Sequence, residues 1–130
     1  YDPSLPKLFA NKNLLIQIIL NLLKNSSESS SINGKIKIKT IFNSNKITSF
    51  SKEDIPTTLT LQIEVIDYGL GISKSMLPNI FDPFVSTKSD GKGLGLSIVA
   101  SGLQEMNAVI NVTSELGLTN FCINFPLKKY

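Results

Sequence analysis

Residues 58–67 read TLTLQIEVID, and apolar and polar side chains alternate strictly from Thr58 to Val65. That period of two demands an extended strand with one face buried. Leu59, Leu61, Ile63 and Val65 take the inward face. The pattern stops at Asp67-Tyr68-Gly69-Leu70-Gly71, where a carboxylate closes an apolar strand and glycines follow it. KIKIKTIF, residues 35–42, follows an Asn33-Gly34 turn signal and alternates as a half-exposed strand. Between the two, residues 43–57 are polar and lack a period, which predicts a loop. Two closing strands are expected at about 108–114 and 119–126, flanking a turn at Gly117.

Helical patterns occupy the rest. Asn11 or Asn13 can cap a helix from Leu14 to about Ser27, with Leu15, Ile16, Ile19, Leu20, Leu22 and Leu23 as a wide apolar face. Gln17, Asn21, Lys24 and Asn25 share one polar stripe of that helix, which a core helix has to account for. Ser73 can cap a short helix through Ile80, and Leu94 to about Met106 reads as a second long one. Tyr1 to Pro6 is extended, because Pro3 and Pro6 disfavour helix. The order of elements predicts an α+β sandwich, with helices on one face of a sheet and the other face partly solvated. No repeat or second domain emerges, so residues 1–130 are expected to form one domain.

Composition narrows the functions open to such a fold. With 42% apolar and 18% charged residues, the chain can bury a substantial core and is not a disordered tail. A net charge of +3 favours an anionic ligand but is too weak to argue for nucleic acid. The single cysteine, Cys122, excludes an internal disulfide, and its setting in FCINF predicts a buried, inert thiol. No run approaches the roughly 18 apolar residues of a membrane span. There is no histidine, so imidazole chemistry has to come from elsewhere. The chain also opens mid-pattern, without Met, as a piece of something longer would.

Four short stretches carry chemistry. In SDGKGLGLSIV, Gly91, Gly93 and Gly95 lead into a helix, where bare backbone N–H groups can surround an anion. A structural turn is the plainer reading of such a run. It is not a Walker loop, because Lys92 precedes Gly93 and no G-K-[ST] occurs, and no parallel strand leads into it as a Rossmann fingerprint requires. Asp67 is a carboxylate in an apolar setting, suited to the exocyclic amino group of adenine or, more plainly, to capping its own turn. Asn25 offers an oxygen acceptable to Mg²⁺, and Asn21 and Lys24 lie within one turn of it; a solvated helix edge would look the same. Phe81-Asp82-Pro83-Phe84, followed by Lys88, could form a lid over a ligand, or the phenylalanines could plug the core.

Taken in order, these stretches resemble the nucleotide-binding boxes of the sensor histidine kinases. NLLKNSSES is similar to the N box, DYGLG to the first glycine box, IFDPF to the F box and GKGLGLSIV to the second glycine box. They follow the family's order over nearly the whole chain. YDPSLP and FDPFVSTK resemble the nitrogen-regulation kinases most. The resemblance implies the Bergerat ATP-binding fold, a two-layer sandwich of a mixed sheet covered by about three helices, shared with the gyrase, Hsp90 and MutL ATPases.

The resemblance also implies roles. Asn25 matches the Mg²⁺-ligating asparagine and Asp67 the adenine-binding aspartate. Gly69, Gly71 and Ile72 would shape the adenine pocket, with Thr119 near the base and Phe81 and Phe84 in the lid. Gly91, Lys92, Gly93, Leu94, Gly95 and Leu96 would line the phosphates, with Lys88 near the γ-phosphate and Asn21 and Lys24 beside the metal. The cofactors implied are ATP and Mg²⁺. The implied partners are a histidine-bearing dimerisation domain of the same homodimeric parent and a response regulator, with no nucleic acid. The chain would lie in the cytoplasm, whether or not a membrane anchors its parent.

Two departures matter. Related ATPases carry a glutamate where Asn21 stands, and an amide cannot take a proton from water, so slow hydrolysis is expected. Where the family commonly has His-Gly-Gly, this chain has Met106-Asn107-Ala108, which alters a turn. The alternatives are an ATPase of the mismatch-repair or chaperone kind, a serine kinase acting on anti-sigma antagonists, and a degenerate interaction module.

Overall fold

The structure, a computed structural model, describes residues 3–4, 7–8, 10–31, 33–45, 58–83 and 95–127. Helix α1, Lys12–Ser29, begins where the Asn11 side chain accepts the Leu14 N–H at 3.2 Å, so Asn11 and not Asn13 is the cap. Its buried seam is Ile18, Leu22 and Ser26. Ile16 and Leu20 lie off that seam and are exposed, so the buried face is narrower than the run of apolar residues implies. Strands β1 (Ile36–Asn45) and β2 (Thr58–Asp67) follow, then helix α2 (Gly95–Glu105) and strands β3 (Val109–Glu115) and β4 (Leu118–Leu127).

The sheet order is β1-β2-β4-β3, and each neighbouring pair is antiparallel. A mixed sheet is therefore not what the described strands form. β2 and β3 run in the same direction, but β4 lies between them, so no parallel pair arises. The described helices are two α-helices and a 3-10 turn, Leu77–Asn79. That turn replaces the helix expected over Ser73 to Ile80: Pro78 has no N–H with which to continue α-helical bonding beyond Leu77. β1 extends to Asn45, into the expected loop, because Asn43, Ser44 and Asn45 stay in register with Thr60, Leu59 and Thr58.

The register separates the two sheet faces. Leu61, Ile63 and Val65 of β2 stand beside Phe125, Ile123 and Phe121 of β4, and these six side chains form the buried layer under the helices. α1 and α2 close over it with Ile18, Leu22, Val99 and Leu103. Cys122 falls on the helix-free face, beside Glu64, and is half-buried instead of buried. Burial and the nearby Glu64 carboxylate both push its thiol pKa up, against a smaller opposing effect of the Asn124 amide. The inertness expected of this thiol thus has a different cause from core burial.

α2 ends in a paired motif: Ala108 N–H donates to the Leu103 carbonyl at 2.9 Å, and Asn107 N–H to that of Gln104 at 3.1 Å. Asn107 has a φ of 53°, so it takes the left-handed position that glycine usually fills. The Met106-Asn107-Ala108 departure therefore keeps the turn. Among the described residues, no helix is long and apolar enough to cross a membrane.

Candidate functional site

The last residue of α1 meets the last residue of β2. Ser29 Oγ lies 3.0 Å from Asp67 Oδ1 and 3.2 Å from the Ser26 carbonyl. A hydroxyl has one proton to give. The Ser26 carbonyl already receives the Ser30 hydroxyl at 2.8 Å and the Ser30 N–H at 3.1 Å, which fills its two lone pairs. The Ser29 proton is thus left for the carboxylate, the stronger acceptor.

Gly69 N–H donates to the same Oδ1 at 3.1 Å, closing a turn on Asp67. Leu70 N–H donates to the Ser29 carbonyl at 3.2 Å. The approach is possible only for bare backbone, since a Cβ on Gly69 would stand 2.4 Å from the Ser29 oxygen. Asp67 itself is 1% exposed. Among the described residues both of its hydrogen bonds fall on Oδ1 and none on Oδ2. A buried carboxylate with one oxygen still open is a strong acceptor for an N–H donor.

Thr119 of β4 is the register partner of Asp67 and is also buried. Its Oγ1 lies 2.8 Å from Ser114 Oγ, which accepts the Ile72 N–H at 2.7 Å. This chain ties the loop after β2 to the β3–β4 hairpin, and Gly71 packs there against the Glu115 carbonyl. A shallow depression over this junction is lined by residues 70–74 and 114–116. A second, lined by Lys35, Ile36, Lys37 and Tyr68, lies toward β1; neither is lined by Asp67 or Thr119.

Asn21, on the polar stripe of α1, faces the start of α2. Asn21 and Asn25 are half-buried and Lys24 is exposed. Asn21 Oδ1 is 3.8 Å from where a Cβ on Gly95 would stand, so the first turn of α2, whose N–H groups have no partner within the helix, begins beside Asn21. Leu96, Ile72 and Phe81 pack partly buried against the core. For Phe81 the structure shows the core contact.

The structure thus brings Asp67, Gly69, Gly71, Ile72 and Thr119 together at one end of the sheet, and sets Asn21 against Gly95. Phe84, Lys88, Gly91, Lys92, Gly93 and Leu94 lie outside the described residues. Sequence reasoning missed Ser29 and Ser114. Ser29 follows Asn25 by four residues, one turn along the helix, and Ser114 pairs with Thr119 across the Gly117 turn, but neither spacing by itself marks a serine as part of a site.

Residues 10–129 match the family described as histidine kinase-, DNA gyrase B-, and HSP90-like ATPases, and the chain belongs to that family. Within it, the chain is 40% identical over 127 residues to the sensory histidine kinase/phosphatase NtrB of Rhodobacter capsulatus, covering 98% of this chain and 36% of that protein. It is 36% identical over 131 residues to NtrB of Rhizobium meliloti, covering 99% of this chain and 34% of that one. The chain therefore spans about a third of the length of these curated relatives.

Among solved structures, full-length ShkA in complex with AMPPNP superposes with a TM-score of 0.75 at 28% identity, over 94% of this chain and 23% of that one. The catalytic domain of histidine kinase ThkA, in a nucleotide-free form, gives 0.69 at 30% identity, over 90% of this chain and 68% of that one. The fold is thus that of histidine kinase catalytic domains.

Proposed function

We propose that this chain binds Mg-ATP and donates its γ-phosphoryl group to a histidine on a separate dimerisation domain of the same parent, for onward transfer to a response regulator. The observation that carries the reading is Asp67: a carboxylate 1% exposed, fixed through Oδ1 and open at Oδ2, at the end of a central strand. Such an acceptor suits the exocyclic amino group of adenine, with Thr119 beside it and the Gly69–Ile72 backbone as the wall of the pocket.

The phosphates would then extend toward the Asn stripe and the first turn of α2, where the positive end of the helix dipole stabilises negative charge. Among the described residues there is no group of three or more His, Cys, Asp or Glu able to hold a metal. Mg²⁺ is a hard cation that keeps waters and takes its other ligands from phosphate oxygens. Asn25 would hold it, with Asn21 and Lys24 nearby, and its charge would offset that developing on the transferred phosphoryl group. Lys88 and the glycines from Gly91 to Gly95 would close the site over the phosphates.

In this reading catalysis is positioning and charge neutralisation, with no base for water. Asn21 carries an amide, which cannot activate water, so ATP is held for an external nucleophile. The test is transfer in trans. The chain, γ-labelled ATP and Mg²⁺ are mixed with the histidine-bearing dimerisation domain of an NtrB-type kinase. Acid-labile, base-stable label on that domain, with little free phosphate, is expected. Rapid phosphate release without such label would refute the kinase reading in favour of an ATPase.

A further inference from the structure

The depression between the loop after β2 and the β3–β4 hairpin carries two leucines that the fold leaves in solvent. Leu70 is 82% exposed and Leu116 is 97% exposed, and both line that depression. Leu116 shares the hairpin turn with Gly117, a place that polar or turn-forming residues ordinarily fill. Single exposed leucines are common on folded chains. Two brought to one concave spot from separate segments mark an interaction surface.

Bonds within the chain fix this surface before anything docks on it. Ile72 N–H donates to Ser114 Oγ at 2.7 Å, and that hydroxyl bonds Thr119 Oγ1 at 2.8 Å. Gly71 lies so close to the hairpin that a Cβ on it would stand 2.8 Å from the Glu115 carbonyl oxygen. A surface already ordered loses little freedom on association.

Its charges decide what fits. Lys74 comes from the loop segment and Glu115 from the hairpin, and both are exposed at the same depression. The loop segment thus presents Leu70 with a cation, and the hairpin presents Leu116 with a carboxylate. A matching partner has to offer an apolar group with a carboxylate on one side and an apolar group with a cation on the other. A second copy of this chain, turned about a two-fold axis, offers both: its hairpin meets this loop segment, and its loop segment meets this hairpin. We propose that this patch is a self-association surface, in which Leu70 meets Leu116 and Lys74 meets Glu115 across the axis, each contact made twice. It operates without nucleotide and goes beyond the function argued above. The patch is smaller than the roughly 800 Å² per partner of a stable interface, so the dimer is a weak one.

Sedimentation velocity on the chain, from about 10 μM to about 2 mM, spans the affinities of such weak contacts. The expected result is a reversible monomer–dimer equilibrium that stops at the dimer, because a two-fold contact closes on itself. Leu116→Ser should weaken it by at least about tenfold, since the dimer loses that leucine twice. Lys74→Glu and Glu115→Lys should each weaken it by about three- to tenfold, since either reversal sets two pairs of like charge face to face. An equimolar mixture of these two variants should regain the wild-type affinity, because each copy then brings the charge the other lacks at both contacts. Misfolding of either variant would not be rescued by mixing. A chain that stays monomeric at the highest concentration overturns the proposal. So does growth beyond the dimer, a dimer unmoved by Leu116→Ser, or a mixture no stronger than its components.

Discussion

Replacing Gly69 by alanine tests how the site is assembled. The added Cβ would stand 2.4 Å from the Ser29 carbonyl oxygen and 2.7 Å from its carbon, whereas ordinary contact begins at 3.4 Å. The end of α1 and the end of β2 would have to separate by about 1 Å, which a close-packed junction cannot absorb freely. Two hydrogen bonds stretch with it, Leu70 N–H to Ser29 and Gly69 N–H to Asp67. Losing the first costs about 0.5–1.5 kcal/mol, and losing the second, to a charged group, about 1.5–3 kcal/mol. A loss of about 2–4 kcal/mol would lower Tm by roughly 8–16 °C in a domain of this size.

The control is Gly117→Ala. Gly117 has a φ of 83°, yet a Cβ there meets nothing within 4 Å. It bears only the left-handed backbone penalty of about 1–2 kcal/mol. Gly69 is not at positive φ, so the pair separates close approach from dihedral strain. Calorimetric unfolding and ADP titration of both variants read the result. Gly69→Ala should lose more stability and weaken ADP binding strongly, while Gly117→Ala keeps its affinity. A smaller Tm loss for Gly69→Ala than for Gly117→Ala would refute the reasoning.

Other outcomes follow from the same geometry. Asn107→Gly should hold or raise Tm, and Asn107→Val should cost about 1–2 kcal/mol because a β-branched residue resists φ near 53°; equal Tm values for the two would deny the left-handed cap. Phe121, fully buried between β2 and β3, should cost about 3–5 kcal/mol on truncation to alanine, measured by denaturant unfolding. Cys122 should react slowly with thiol reagents at pH 8, because its raised pKa leaves less thiolate, and faster as the pH climbs. Glu64→Gln removes one of the two causes and should speed that reaction by about two- to fivefold at fixed pH; no change would remove Glu64 from the account.

The parts of the fold legible in the sequence are those set by local period. β2 is legible from alternation because its inner face, Leu61, Ile63, Val65 and Asp67, is buried. Asp67 is legible because a carboxylate ending an apolar strand needs a partner. Ser29 and Ser114 are not legible, since serine is unremarkable in sequence and their bonds join residues 38 and 42 positions apart. Tertiary pairing also overrode composition in β1, where polar Asn43 to Asn45 remain strand. Over Ser73 to Ile80 a local rule carried the most weight, and Pro78 shortened the expected helix to one turn. Cys122 lies in an apolar run, but the register turns it to the helix-free face.

In the proposed function, Asp67 holds the base and Asn25 the metal of a bound adenine nucleotide. Calorimetric titration of the chain with ADP, with and without Mg²⁺, and of Asp67→Asn under the same conditions, tests it most directly. Saturable binding that Mg²⁺ strengthens is expected, abolished or weakened at least about tenfold in Asp67→Asn, whose amide presents a donor to the amino group if its oxygen keeps the Ser29 and Gly69 bonds. No binding at millimolar ADP, or full affinity in Asp67→Asn, would contradict it.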